Sequence, residues 1–142
     1  MKHTFELDGT PITFEASEND AEIVRRVSSD LLGMKGYVNM DADDIVSVLD
    51  GAKVISAGEG TASGDDKVKA ATLEAMKNAS GISGAKSLIV EVVSGVDTFL
   101  SEISDAAFTI EGSCKEDVNV VWGHVLDGNM DDSVRVNIIA VG

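Results

Sequence analysis

An acidic segment in the first third of the chain holds the residues best suited to chemistry. Residues 39–44 combine three carboxylates, Asp41, Asp43 and Asp44, with the amide of Asn39. Such a set could orient a water molecule or hold a cation. The same residues also suit a structural role, because an Asp just before an apolar run caps a helix and interacts well with its dipole. The residues taken alone favour the cap and leave the chemical role open.

A glycine-rich stretch is the second candidate. Gly58, Gly60 and Gly64 have the spacing G-x-G-x-x-x-G, whereas a dinucleotide-binding loop needs G-x-G-x-x-G at the start of a helix. Glu59 would also repel a pyrophosphate. The phosphate-binding motif G-x-x-x-x-G-K-[ST] does not occur in the sequence. We therefore expect residues 58–64 to be a tight structural loop and not a nucleotide site.

The remaining motifs are weaker. Residues 127–132 resemble the start of a calcium loop, but the EF-hand pattern needs Gly and Glu where this sequence has Asp132 and Ile138, so a turn is expected. Cys114 has no obvious activating partner, and a catalytic pair with His124 is disfavoured against an incidental cysteine. His3 and His124 are too isolated for a zinc site. Neither a metal nor a cofactor is predicted.

The elements that must position these residues follow from turn signals and apolar periodicity. Asp8-Gly9 predicts a hairpin over residues 4–16, and Ser17 followed by Asp20 predicts the capped start of a helix that ends near Gly33. Arg26 on this helix is expected to be solvated. A short helix should follow Asp44. From residue 53 the predicted order is a strand at 53–57, a helix after Ser63, a strand at 86–93, a helix at 98–110 with Phe99, Ile103, Ala107 and Ile110 on its apolar face, and strands at 118–125 and 134–141.

This order predicts an α+β fold. The pattern β-α-β-α-β-β favours a two-layer sandwich, in which helices pack on a four-stranded mixed sheet, preceded by the N-terminal hairpin and helix. The run at 86–93 is almost entirely apolar and β-branched, as expected of a central strand covered on both faces.

Charge and cysteine content limit the partners and the compartment. The net charge is −14, which disfavours binding to nucleic acid and to anionic membranes. No apolar stretch is long enough to span a bilayer, and the N-terminus has no signal-peptide core. The single cysteine suits a reducing compartment, so a cytoplasmic protein is expected.

Several stretches, in order and at near-family spacing, resemble the C-terminal domain of FtsZ, the tubulin-like bacterial cell-division GTPase. Residues 38–45 resemble its synergy loop, Asn-x-Asp-Phe-Ala-Asp-Val, with Asn39, Asp41 and Asp44 at the polar positions. The other matching stretches are residues 57–67, similar to Met-Gly-x-Gly-x-Ala-x-Gly-x-x-Arg, residues 84–90, similar to Gly-Ala-x-x-x-Leu-Val, and residues 121–123 and 135–142, which look like the last two strands of the domain.

The resemblance implies a division of the chain and a role for the loop. Residues 37–142 would be the FtsZ-like domain, residues 18–36 a connecting helix and residues 1–17 an N-terminal hairpin extension. In the family, the synergy loop enters the GTP site of the next subunit of a filament. Asp41 and Asp44 would then help to position the attacking water in trans, and Asn39 would contact nucleotide or magnesium.

The sequence also departs from the family pattern. The glycine-rich Gly-Gly-Gly-Thr-Gly-Thr-Gly signature of the GTP-binding domain is absent, and Ala42 replaces the Phe of the synergy loop. The chain ends at Gly142, before the linker and tail of the family. The unmatched start at Met1 is expected to be a natural one. By resemblance the chain would therefore not be a GTPase itself.

Three functional hypotheses follow. The first is a non-enzymatic interaction module of a cell-division or filament system, which offers its synergy loop to FtsZ or another tubulin-like GTPase. The second is a free-standing homo-oligomeric domain with an unrelated binding role, because the hairpin offers a strand edge for self-association. The third, least favoured, is a small metal-dependent hydrolase that uses the acidic loop.

Overall fold

The computed structural model describes residues 1–142 and contains six strands and four helices. The elements are, in chain order, β1 (Lys2–Leu7), β2 (Thr10–Glu15), α1 (Glu18–Gly33), α2 (Ala42–Leu49), β3 (Val54–Ser63), α3 (Lys67–Asn78), β4 (Ser87–Ser94), α4 (Leu100–Glu111), β5 (Asn119–Leu126) and β6 (Ser133–Val141). No helix has the length and apolar character needed to cross a membrane.

The four C-terminal strands form the mixed sheet that the sequence predicts. Its strand order is β3-β6-β4-β5, with β6 antiparallel to both of its neighbours and β4 parallel to β5. Side chains alternate between the two faces along each strand. Leu88 and Val90 pack with α3 and α4 on one face, whereas Ile89 and Val93 pack toward α1 and α2 on the other. The nearly continuous apolar sequence of β4 follows from this two-sided cover.

The glycine-rich stretch is part of a strand, and the prediction of a loop over residues 58–64 is wrong. β3 runs through to Ser63 and pairs with β6 along this length. A Cβ on Gly60 would lie 2.1 Å from the carbonyl oxygen of Ala71, and one on Gly58 would lie 2.4 Å from the Ala79 nitrogen. The glycines are therefore required because α3 packs directly on the backbone of β3.

The turn into α3 comes later than the sequence suggests. Gly64 has a φ of +79° and Asp66 a φ of +55°, and α3 begins at Lys67 with Asp66 as its N-cap residue. The sequence predicts a helix directly after Ser63, but Ser63 is still paired in β3 and does not cap the helix. At the start of α4, Phe99 precedes the helix and is exposed instead of joining the buried face formed by Ile103, Ala107 and Ile110.

The N-terminal hairpin shares a core with the rest of the domain. Leu7, Ile12 and Phe14 are buried in the same apolar cluster as α1 and α2. The predicted cap of α1 is confirmed, because the Ser17 hydroxyl accepts a hydrogen bond from the Asp20 N–H at 3.2 Å. Backbone hydrogen bonds also join β2 to the segment before β3, so the hairpin is held on two sides.

Candidate functional site

The acidic segment begins in the connection between α1 and α2 and includes the first turn of α2. The connection lies against the outer edge of the sheet. The His124 N–H donates to the Val38 carbonyl at 2.7 Å, and the Leu126 N–H donates to the Lys35 carbonyl at 3.0 Å. The connection therefore pairs with β5, which is otherwise a free edge strand. This pairing holds the backbone just ahead of Asn39 in a defined place.

A buried histidine holds the same connection through its side chain. The Nδ1 atom of His124 accepts a hydrogen bond from the Tyr37 N–H at 2.9 Å, and the Tyr37 ring stacks on the imidazole with ring centroids 4.8 Å apart. A Cβ on Gly36 would lie 2.1 Å from the His124 carbonyl oxygen, so the close approach requires glycine. Burial lowers the pKa of His124, which keeps the ring neutral.

The tautomer of His124 excludes a serine nucleophile at this point. Because Nδ1 accepts a hydrogen bond, the neutral ring carries its proton on Nε2, which lies 2.7 Å from the Ser94 hydroxyl oxygen. An Nε2 that already bears a proton cannot act as the base for Ser94. The Ser94 hydroxyl instead donates to the Gly95 carbonyl at 3.2 Å. The contact between His124 and Ser94 therefore has a structural role, because it orients the imidazole that binds the Tyr37 N–H.

The three residues singled out by the resemblance, Asn39, Asp41 and Asp44, are exposed and form hydrogen bonds within residues 36–44. The Asn39 side chain accepts from the Gly36 N–H at 3.0 Å and donates to the Gly36 carbonyl at 3.1 Å. Asp41 is the N-cap residue of α2, and the Asp44 carboxylate accepts from the Asp41 N–H at 3.2 Å. Asp44 thus has the structural role that the sequence favours for this segment, while its side chain and that of Asp41 face solvent.

The acidic side chains do not assemble a site of their own. No three His, Cys, Asp or Glu side chains anywhere in the protein converge closely enough to hold a metal ion. What the segment offers is a set of separate exposed carboxylates on an anchored backbone. Chemistry at this segment would therefore need further groups, such as a phosphate or a cation, from outside the domain.

The other sequence candidates have structural positions. The Cys114 thiol donates to the Ile110 carbonyl at 3.3 Å, and burial, with a smaller contribution from the charge of Glu111, raises its pKa. A thiolate at this cysteine is therefore disfavoured. Residues 127–132 form a turn, as predicted, in which the Asp127 carboxylate accepts from the Asn129 N–H at 2.9 Å.

A buried polar network between α1 and the sheet was not predicted. Glu91 in the middle of β4 is fully buried, and its carboxyl accepts from the Asn137 side chain at 2.9 Å. The Arg26 guanidinium donates to the side-chain amide oxygen (Oδ1) of Asn137 at 3.1 Å and also pairs with Glu59. Arg26 is exposed, as predicted, but these contacts give it a structural role that the sequence did not indicate. The signal available in the sequence was a single acid within the apolar run of β4.

The environment of Glu91 favours its protonated form. The pKa of Glu91 is raised to about 8, mainly by burial and to a smaller extent by the neighbouring charge of Asp30. The hydrogen bond from Asn137 and the nearby positive charges of Arg135 and Arg26 act in the opposite direction but are outweighed. This side chain has no access to solvent, so the network positions α1 on the sheet and is not a reaction site.

Comparison with known proteins identifies the fold. Solved structures of M. jannaschii FtsZ superpose well: one described as an empty FtsZ dimer has a TM-score of 0.76 at 22% identity, covering 84% of this chain and 36% of the other. A TubZ of Bacillus thuringiensis serovar israelensis, described as a GTPγS-form protofilament, has a TM-score of 0.66 at 13% identity, with 86% and 34% covered. At these identities the likeness concerns the fold.

Sequence comparison identifies the family. The cell division protein FtsZ of Wolbachia pipientis is 29% identical over 133 residues, which is 91% of this chain and 42% of that protein. The chain thus spans less than half the length of this relative. The family model for the C-terminal domain of the FtsZ family matches residues 51–142. This domain is not the GTPase domain of the family. The chain therefore belongs to the FtsZ family and carries its C-terminal domain.

Proposed function

We propose that this chain works as a non-enzymatic interaction module that presents residues 39–44 to the nucleotide site of a tubulin-like GTPase. The observation that carries the proposal is that Asn39, Asp41 and Asp44 are all exposed on a segment anchored at both ends. By the resemblance to the synergy loop, Asp41 and Asp44 would position the attacking water, and Asn39 would contact nucleotide or magnesium. The nucleotide and any metal would belong to the partner.

The anchoring supports this role. Phosphoryl transfer depends mainly on positioning and electrostatics, so carboxylates supplied by a second protein can control its rate if they are held in place. Here Tyr37 is fixed by His124 on one side, and α2 is capped through Asp44 on the other. A segment that is already ordered loses little conformational entropy on binding.

The relatives suggest the class of partner. One similar structure is described as a dimer of M. jannaschii FtsZ and another as a protofilament of TubZ. A partner from the same family, FtsZ itself or a tubulin-like relative, fits both descriptions. The chain would then alter assembly of that partner or its GTP hydrolysis in a cell-division or filament system.

Mixing experiments test the proposal. The purified chain is added to FtsZ from the same organism, and GTP turnover and pelleted polymer are measured against protein concentration. We expect the wild type to change at least one of the two, Asp41→Ala to abolish the change, and Asp43→Ala to retain it. Asp43 is the matched control because it is an exposed neighbour without a role in the pattern. No effect of the wild type on turnover or on pelleting would overturn the proposal.

Self-association is the second candidate. β1 pairs only with β2, so its outer edge is free to accept a strand from another copy. The net charge of −14 opposes contact between copies, and salt should relieve this repulsion. Light scattering over a range of protein and salt concentrations tests the idea, and a monomer throughout would eliminate it. The geometry does not favour a metal-dependent hydrolase, because the acidic side chains do not converge.

A further inference from the structure

A groove of about 470 Å³ lies between the exposed sides of α3 and α4, on the face of the sheet opposite α1. The lining residues run from Asp66 to Leu73 on one side and from Glu102 to Thr109 on the other, which is about 11 Å at a rise of 1.5 Å per residue. This length matches about two turns of a further helix. No element of the chain fills it, and no residue of the proposed GTPase-contacting segment lines it.

The walls of the groove carry large apolar side chains that the fold does not use. Phe108 is 70% exposed and Leu73 is 50% exposed, and both line the groove. The buried face of α4 consists of other residues, among them Ile103 and Ile110, so Phe108 is not needed to fill the core. Covering such side chains removes apolar surface from water, which makes an exposed Phe and an exposed Leu lining one groove a candidate contact surface.

Acidic side chains accompany these apolar walls. Asp66, Glu102 and Asp105 line the groove, against the single ammonium group of Lys69. Asp66 and Asp105 are exposed, whereas Glu102 is half-buried and accepts a hydrogen bond from the Phe99 N–H at the start of α4. The excess of carboxylates repels nucleic acid, anionic lipid and a second copy of this chain, whose charge is −14. It attracts a segment that is both basic and apolar.

We propose that the α3–α4 groove docks a basic amphipathic helix of a partner protein. Apolar side chains at helical spacing would cover Leu73 and Phe108, and Lys or Arg side chains on the flanks of that helix would pair with Asp66 and Asp105. The contact is separate from the contact with a GTPase nucleotide site, so either proposal can fail without the other.

The chain offers a matched pair of variants for the test. Phe99 is 71% exposed, almost the same as Phe108, but it does not line the groove. The probe is a dye-labelled 14-residue peptide of Leu and Lys in amphipathic helical order, titrated with the full chain at 150 mM salt and followed by fluorescence anisotropy. A peptide with the same composition in scrambled order has the same charge and is the second control.

We expect saturable binding of the amphipathic peptide, weakened at least tenfold by Phe108→Ser and by Leu73→Ser, and changed less than twofold by Phe99→Ser. Asp105→Asn should weaken it about threefold, and circular dichroism should show all variants folded. Equal binding of the scrambled peptide, or an equal loss with Phe99→Ser, would overturn the proposal, because either result means general attraction to an acidic surface. Self-association that Phe108→Ser abolishes would also overturn it, because the groove would then receive a second copy of the chain.

Discussion

The two faces of the sheet are built differently. Beneath α3 and α4, the centre of the sheet contributes apolar side chains, such as Val90 and Ile138. The buried polar pair on this face, Ser94 and His124, lies at the end of β4 and on the edge strand β5. Beneath α1 the apolar cluster is interrupted in the middle of the sheet by Glu91 and Asn137. Apolar side chains can pack closely in more than one way, whereas a hydrogen bond such as that from Asn137 to Glu91 forms only when both groups are correctly placed. The face with Glu91 and Asn137, here called the polar face, is covered by α1, and α1 leads into the acidic segment. The position of α1 on this face therefore helps to set the position of the acidic segment.

The largest effect should come from a cavity in the apolar face. Ile138 is fully buried at the centre of the sheet, and Ile138→Ala should lower the free energy of unfolding by about 4 kcal/mol, since it removes apolar contacts and leaves a cavity. Urea denaturation measures this. Val96→Ala, at a position that is 77% exposed, is the control and should change stability by less than about 0.5 kcal/mol. A loss below about 1 kcal/mol for Ile138→Ala would show that this face repacks.

On the polar face, Glu91 should make stability depend on pH. Its pKa is about 8 in the folded protein against an ordinary value of 4.5, so the folded state binds the proton more tightly. The resulting stabilisation is fully present below pH 4.5 and is lost as the pH rises to about 8. From pH 5 to pH 8.5 the free energy of unfolding should fall by about 2–4 kcal/mol through this group.

Glu91→Gln separates this effect from the other titrating groups. The variant cannot ionise, so it should lose most of the fall in stability above pH 5 and be the more stable protein at pH 8.5. Chemical denaturation at a series of pH values provides the measurement, and Glu6→Gln, at an exposed position of β1, is the control. If the Gln variant kept the full pH dependence of the wild type, Glu91 would not be the responsible group.

The smallest effect should be local to the acidic segment. Burial lowers the pKa of His124, so its stabilisation of the fold is present above its ordinary pKa of 6.5 and is lost as the pH falls below that value. Protonation also removes the Nδ1 acceptor of the Tyr37 N–H. The hydrogen-exchange protection factor of that amide should therefore drop about tenfold, or about 1.4 kcal/mol, between pH 7.5 and pH 5.

The other histidine provides the control for this measurement. His3→Gln should leave the response of the Tyr37 amide unchanged, because His3 lies on β1 against Phe14 and Ala16. An unchanged protection factor in the wild type at pH 5 would mean that the pairing of the connection with β5 is sufficient without the imidazole. The assigned role of His124 in holding the acidic segment would then be discarded.

Local patterns in the sequence determined much of the architecture. The capped start of α1 at Ser17, the hairpin at Asp8-Gly9 and the order of strands and helices after residue 53 all depend on neighbours within a few positions, so periodicity and turn chemistry were enough to predict them. The same local patterns carried the resemblance to the FtsZ family. The exposure of Asn39, Asp41 and Asp44 was also consistent with a polar turn before a helix.

Only the tertiary structure decided which residues hold α1 and the acidic segment in place. Arg26 and Asn137 are 111 positions apart, and Tyr37 and His124 are 87 apart, so no sequence period connects them. In the sequence, Gly60 suggests a loop. In the structure it is a strand residue that must lack a Cβ, because α3 packs directly on the backbone of β3 at this point. These features depend on contacts between segments that are distant in the sequence. Such contacts form when the complete apolar core is buried, and no local pattern determines them.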